Sequence, residues 1–187
     1  MKKFELTNEF VTNMFGTKLF RIRALVEFGD VEAGELGGYV EKESNLGHDD
    51  NAWVYDNAWV SGNAQVSGNA LVYGNARVCG NALVCGNAWV YGNAWVYGNA
   101  QVSGDARVCG DARVCGNGDY AYAHGFGSCN RTTTFFRLKD GDVGVRCGCF
   151  YGTLAQFRDN VCETHGETKK AQEYLMLADL MDFRFKN

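Results

Sequence analysis

The sequence lacks any run of apolar residues long enough to cross a membrane, since such a span needs about 20 in succession. Its first ten residues, MKKFELTNEF, contain two lysines with no apolar stretch behind them, which is not the pattern of a secretory signal peptide. These two absences predict a cytoplasmic protein with no membrane partner. A hydrophobic content of 46% predicts a globular fold and not a disordered chain.

The sequence also lacks an excess of basic residues. Its net charge is −4, and all of this arises in residues 1–50, where six Lys/Arg stand against ten Asp/Glu. The rest of the chain is balanced in charge. Binding to the phosphate backbone of a duplex requires a basic surface. We therefore expect no duplex nucleic acid among the partners.

The feature that dominates the chain is a six-residue repeat in residues 51–116. Eleven units follow one another without insertion. Each reads Asn or Asp, Ala, a variable residue, Val, a second variable residue and Gly, with Asp56 replacing Gly in the first unit. A fixed short period of this kind is typical of solenoid proteins.

Each unit predicts a short strand with one buried side. Ala and Val alternate with the variable residues, so Ala and Val point one way and the variable residues the other. The Gly-Asn pair tolerates a positive φ and turns the chain after each strand. One such strand cannot bury its apolar side alone, but parallel strands stacked about 4.8 Å apart bury every Ala and Val. The repeat therefore predicts a parallel β-helix.

This pattern resembles the hexapeptide-repeat proteins, because an aliphatic residue is followed four positions later by a small one, as in Val54 and Ala58. The resemblance implies a mainly β fold, a left-handed parallel β-helix of triangular section. Three hexads would form each coil, giving about four coils. Residues 20–58 and 132–157 are similar to uncharacterised phage and prophage proteins with the same repeat.

In such a helix the outward residues stack, coil on coil, into three faces. The first face carries Trp53, Leu71, Trp89 and Arg107 beside Tyr55, Tyr73, Tyr91 and Cys109. The second face carries Trp59, Arg77, Trp95 and Arg113 beside Ser61, Cys79, Tyr97 and Cys115. The third face carries Gln65, Leu83 and Gln101 beside Ser67, Cys85 and Ser103. We take the aromatic and arginine residues of the first two faces as the candidate binding residues.

These aromatic faces have three interpretations. Ladders of aromatic residues, with Arg–Trp contacts of about 0.5–1 kcal/mol each, could stabilise the stacked strands locally or lie beneath the flanking segments. Apolar area of this size is also typical of an interface, which predicts a homo-oligomer, a dimer or a trimer. Finally, the faces could bind a host protein or a small nucleotide, whose base would stack on Trp or Tyr while its phosphate pairs with Arg.

The flanks predict two further regions around the repeat. Residues 1–50 are interpreted as an N-terminal β cap with an irregular first coil. Residues 117–187 predict a C-terminal ββαα module, with strands at 132–138 and 143–150 joined by KDGD. Thr153 and Gln156 form a capping box that opens a helix, Gly166 ends it, and a second helix follows Thr168.

The cysteines and histidines do not predict a disulfide, a metal or a cofactor. Cys79 and Cys115 would share a face two coils, about 10 Å, apart, whereas a disulfide needs Cα atoms within about 7 Å. Cys147 and Cys149, with His124 and His165, match no zinc spacing, so structural cysteines are the favoured interpretation. His48 is interpreted as a turn residue.

The favoured function is a non-enzymatic binding protein of phage or prophage type. It would be a rigid β-helix scaffold whose aromatic faces serve self-association and a host protein or small nucleotide, with counter-defence as a role by analogy. The alternatives are an acyl-CoA-dependent acyltransferase, as many hexapeptide-repeat proteins are, and a structural phage assembly element. The repeat contains neither histidine nor an inserted loop. The resemblance therefore assigns no catalytic residue, and His124, just past the last coil, is the one candidate base.

Overall fold

The chain begins with an antiparallel sheet that closes one end of the molecule. The structure is a computed structural model that describes residues 1–186. Its first strands are β1 (Phe4–Thr12), β2 (Lys18–Ala24) and β3 (Leu36–Val40), and β2 pairs antiparallel with both of the others. A 3-10 turn at Glu43–Asn45 leads from this sheet toward the repeat.

Each unit of the repeat forms one two-residue strand made of its first variable residue and its Val. The glycines that end the following units have φ between 61° and 72° over Gly62–Gly110, so each corner uses the left-handed region that glycine adopts without strain. The strands are β4 (Trp53–Val54), β5 (Trp59–Val60), β6 (Gln65–Val66), β7 (Leu71–Val72), β8 (Arg77–Val78), β9 (Leu83–Val84), β10 (Trp89–Val90), β11 (Trp95–Val96), β12 (Gln101–Val102), β13 (Arg107–Val108) and β14 (Arg113–Val114).

These strands stack in parallel in an eighteen-residue register, as in the pairing of Trp59 with Arg77. The first face is the sheet β4-β7-β10-β13, and the third face is β6-β9-β12. The second face is β5-β8-β11-β14, which β3 extends in parallel and β2 and β1 extend antiparallel. Every Ala and Val of the repeat is at most 1% exposed. The prediction of a parallel β-solenoid of about four turns, mainly β in class, is confirmed.

Asparagine side chains join the coils at their corners. The Nδ2 of an Asn donates to the Oδ1 of the Asn or Asp eighteen residues later, over 3.0–3.4 Å. One such ladder runs from Asn51 to Asp105 and another from Asn75 to Asp111. The amide both donates and accepts, so it can connect to the coil on either side.

A buried lysine ties the N-terminal sheet to the first coil. The Nζ of Lys3 donates to the carbonyl oxygens of Ala52 at 2.8 Å and Asp50 at 3.3 Å. Burial lowers the pKa of Lys3 to about 8, although Asp50 and Asp49 oppose that change. The His48 ring stacks on Phe4 at 4.5 Å, and its Nδ1 accepts from the Lys3 backbone N–H. His48 therefore holds the cap in place.

An antiparallel sheet and two helices close the other end. The sheet has the order β15 (Tyr120–Phe126), β16 (Arg131–Arg137), β17 (Val143–Cys147) and β18 (Phe150–Thr153). The helices are α1 (Leu154–His165), which Thr153 and Gln156 cap as predicted, and α2 (Lys169–Phe185), capped by Thr168. On β16, Phe136 enters the solenoid core while Phe135 packs against the helices.

The C-terminal sheet differs from the predicted ββαα module in two respects. It has four strands where two were predicted. The strand predicted at 143–150 is interrupted, because Gly148 turns with φ 57° and the chain reverses into β18. The predicted placement of Cys147 and Cys149 on one strand is therefore wrong, since Cys149 lies in this turn. No helix among residues 1–186 is long and apolar enough to cross a membrane.

Candidate functional site

A stack of alternating indole and guanidinium groups runs along the second face. The Arg77 guanidinium lies between two indoles, 4.5 Å from the Trp59 ring centroid and 5.0 Å from that of Trp95. Arg113 covers the other side of Trp95 at 4.6 Å and donates to the Ala112 carbonyl at 2.8 Å. The eighteen-residue register produces this order directly, because it stacks residues 59, 77, 95 and 113. Cation–π contacts of this kind stabilise adjacent coils.

The tip of the β1–β2 hairpin overhangs this stack and makes a groove. Asn13 shapes the tip, since its Oδ1 accepts from the backbone N–H groups of Phe15 and Thr17. Met14 and Phe15 are 81% and 85% exposed at this tip. Between tip and sheet lies a cavity of about 440 Å³, here called the second-face groove, whose lining includes Phe15, Trp59, Arg77, Cys79 and Trp95.

Trp53 does not lie on an accessible face, so its predicted role in binding is wrong. It is 0% exposed and packs edge-on against Phe4 at 6.2 Å, Phe28 at 5.3 Å and Tyr55 at 6.5 Å. The N-terminal sheet covers it and makes it part of the core. Tyr55 is half-buried beside it and packs against the same core.

The middle of the first face is an aromatic cluster that is half-buried. The rings of Tyr73 and Tyr91 stack at 4.8 Å with an interplanar angle of 4°, and Trp89 meets Tyr73 edge-on at 6.2 Å. Burial raises the pKa of the Tyr91 phenol, and the neighbouring Cys109 raises it further. These tyrosines are therefore neutral supports between coils.

At the C-terminal end of the first face lies a second cavity, of about 570 Å³, here called the first-face pocket. The solenoid contributes Asn87, Trp89, Asp105 and Arg107, and the β15–β16 hairpin with its neighbouring turn contributes His124, Cys129, Asn130, Arg131, Thr132 and Gly148. Arg107 lies 4.5 Å above the Trp89 ring centroid. The Nδ1 of His124 is 2.9 Å from the Thr132 hydroxyl.

The predicted binding residues thus separate into three sets. Trp59, Arg77 and Trp95 line the second-face groove, and Trp89 and Arg107 line the first-face pocket. Trp53 belongs to the core, and Tyr55, Tyr73 and Tyr91 are packed between coils. Arg113 is held by backbone carbonyls, and Tyr97 is half-buried outside both cavities.

Apart from His124, the residues that the flanks contribute to these cavities could not be identified from the sequence. The Met14-Phe15 pair, set between Asn13 and Gly16 in a turn, was a signal for an exposed apolar tip. Arg131 and Thr132 gave no such signal, because only the tertiary fold brings them to the repeat. All eight cysteines are free. Within the described chain, no cluster of His, Cys, Asp and Glu has the arrangement of a metal site.

Comparison with known families supports a β-solenoid repeat protein. The family model described as YdcK Beta solenoid repeat matches residues 64–80, 76–92, 82–98, 88–104 and 100–116. The chain is thus similar to that repeat over much of its solenoid. No curated protein matches the sequence.

Proposed function

We propose that this chain is a non-enzymatic binding protein that associates with a second copy of itself through the second face. Its scaffold would be a left-handed β-helix with triangular coils, as in the hexapeptide-repeat proteins that the sequence resembles. Three parallel sheets in an eighteen-residue register support the triangular section. A solenoid of this kind presents rigid side chains, which lowers the entropic cost of association.

One observation carries the proposal, namely an apolar tip beside an apolar groove on the same chain. Met14 and Phe15 are among the most exposed large apolar side chains of the described residues. The groove beside them has Trp59 and Trp95 in its lining. A surface with both a projection and a recess can pair with an identical surface about a two-fold axis, because each tip then enters the groove of the other copy.

The area and charges of this surface suit such a pair. An aromatic side chain can bury ~150–250 Å², so Phe15, Trp59 and Trp95 supply a large part of the ~800 Å² per partner in a standard interface. Arg77 forms no ion pair within residues 1–186, and Glu41, which also lines the groove, accepts from the Gly62 backbone N–H at 2.7 Å. One charge of each sign makes two identical surfaces electrostatically compatible.

The biological setting of this proposal comes from the resemblance alone. We propose a phage or prophage protein that acts in the host cytoplasm. The first face would then be available to a host protein or a small nucleotide while the second face pairs, and counter-defence is the role that this setting favours. A structural assembly element is the variant of the proposal in which self-association is the whole function.

Sedimentation equilibrium tests the association. We expect wild-type protein at high micromolar concentration to have twice the chain mass of 20.6 kDa. Phe15→Glu should give the monomer mass, because it places a charge in the apolar contact, and it should fold normally because Phe15 is exposed. The matched control is Phe183→Glu on α2, where the phenylalanine is 76% exposed.

Two results would contradict this proposal. A wild-type monomer at high micromolar concentration would exclude self-association. A dimer that Phe183→Glu dissociates and Phe15→Glu leaves intact would move the interface to α2, where Met176, Leu180 and Phe183 form an exposed apolar stripe.

The acyltransferase remains the second candidate because His124 lines the first-face pocket beside the last coil. We expect no release of CoA thiol from acetyl-CoA above the level of a His124→Ala control. In the described residues no carboxylate is paired with His124, and its one side-chain hydrogen bond is to the Thr132 hydroxyl, so no acidic group orients the ring as a catalytic base. Thiol release that is lost in His124→Ala would make the transferase the function.

A further inference from the structure

The first-face pocket combines permanent positive charge with a flat stacking surface. Its lining holds two arginines, Arg107 and Arg131, against one carboxylate, Asp105. The Asp105 carboxylate is already engaged, since Asn87 Nδ2 donates to it at 3.0 Å. Within residues 1–186 neither guanidinium has an ion-pair partner. The pocket is therefore suited to an anion that enters from solvent.

Arg107 is the last member of the first-face stack. Its sheet ends at β13, and the guanidinium rests on the Trp89 ring at 4.5 Å. No further coil follows β13 on the first face in the described residues. The β15–β16 hairpin lies beyond this end of the sheet, and the first-face pocket lies between them. The guanidinium face opposite Trp89 carries no other aromatic ring of the described chain. A planar group can extend the stack there, since arginine stacks on aromatic planes.

Arg131 and Thr132 stand on the opposite wall, which the C-terminal module holds rigid. The backbone N–H of Gly127 donates to Glu173 Oε2 at 2.8 Å, and that of Ser128 donates to the Tyr174 hydroxyl at 3.0 Å. Both acceptors are on α2, so a helix fixes the hairpin turn. Arg131 lies against Gly148, where a Cβ would collide with its Nη1. Glycine at that position leaves room for the guanidinium.

We propose that the first-face pocket binds a nucleoside phosphate. The base stacks on the Arg107 guanidinium and continues the Trp89–Arg107 stack. The phosphate pairs with the Arg131 guanidinium and accepts a hydrogen bond from the Nε2–H of His124, whose Nδ1 accepts from the Thr132 hydroxyl. The cavity of about 570 Å³ lies within the usual ~300–1,000 Å³ of small-molecule sites.

Calorimetric titration with AMP tests the site. We expect AMP to bind the wild type, and Arg107→Gln and Arg131→Gln each to weaken the affinity at least about tenfold, as the loss of a charged contact does. Arg77→Gln is the matched control, because Arg77 occupies the same repeat position and also stacks at 4.5 Å on an indole, but on the second face. It should leave AMP affinity unchanged, as should Phe15→Glu, so the site can be tested apart from self-association.

Separate titrations identify which part of the ligand is recognised. Adenosine and inorganic phosphate should each bind at least about tenfold more weakly than AMP, since each lacks one of the two contacts. If CoA binds more tightly than AMP and loses affinity in Arg131→Gln, the ligand of this pocket would be the nucleotide portion of a larger cofactor. Three outcomes overturn the proposal: no heat with millimolar AMP, equal affinity for AMP and inorganic phosphate, or equal losses in Arg77→Gln and Arg107→Gln.

Discussion

Val84→Asp is expected to abolish folding of the whole chain. Val84 is 0% exposed in the middle strand of the third face, where it pairs with Val66 on one side and Val102 on the other. A carboxylate at this position would be buried with no partner. The cost should exceed about 4 kcal/mol, a large part of the ~5–15 kcal/mol that stabilises a typical domain.

The matched control is Leu83→Asp in the same strand. The Leu83 side chain is outward and half-exposed, so its replacement should change the free energy of unfolding by about 1 kcal/mol or less. Circular dichroism during heating, together with the soluble fraction of each variant, measures the difference. A soluble Val84→Asp protein that melts with the wild type would show that the interior assigned to Val84 is wrong.

Trp53→Ala is expected to cost about 3–5 kcal/mol of unfolding free energy, the usual loss for a buried tryptophan. The indole fills the space between the first coil and the N-terminal sheet, in contact with Phe4 and Phe28. Its removal leaves a cavity that β1 and β2 cannot fill without moving. Urea unfolding followed by far-ultraviolet circular dichroism gives the free energy.

Trp89→Ala provides the comparison, because Trp89 occupies the same repeat position on the same face and is only half-buried. Trp89→Ala should lose at least about 2 kcal/mol less unfolding free energy than Trp53→Ala, because the half-buried Trp89 side chain buries less apolar area than Trp53 does. Equal losses at the two positions would mean that the N-terminal sheet does not cover Trp53 in solution.

The solenoid could be predicted because every six-residue unit repeats the same local sequence preferences. Alternation, turn residues and small side chains favour the same structure in all eleven units, so no competing pattern arises. The flanks contain no such repetition. The strand β15 begins at Tyr120, just after the six-residue period ends. It could be recognised as a strand only from its antiparallel pairing with β16, which the sequence does not show.

The two cavities show why the candidate site could be predicted only in part. The stacking of Trp59 with Arg77 and of Trp89 with Arg107 follows from the eighteen-residue register. The burial of Trp53 does not follow from it, because the covering residues Phe4 and Phe28 lie outside the repeat. Likewise, Arg131 reaches the first face through a sheet whose strand order the sequence does not reveal. Tertiary contact, not local pattern, decides which aromatic residues stay accessible.

The asparagine ladders give the solenoid a particular sensitivity to chemical ageing. Two of the ladders end at Asp105 and Asp111, whose carboxylates accept from Asn87 and Asn93. A carboxylate, which only accepts, suits this position because neither ladder continues to a further coil in the described residues. Deamidation of Asn69, in the interior of a ladder, would replace the NH₂ that donates to Asn87 with an oxygen. Two acceptors would then face each other across adjacent coils. Spontaneous conversion of Asn to Asp is therefore disruptive at the inner coils, where the ladder side chain must both accept and donate.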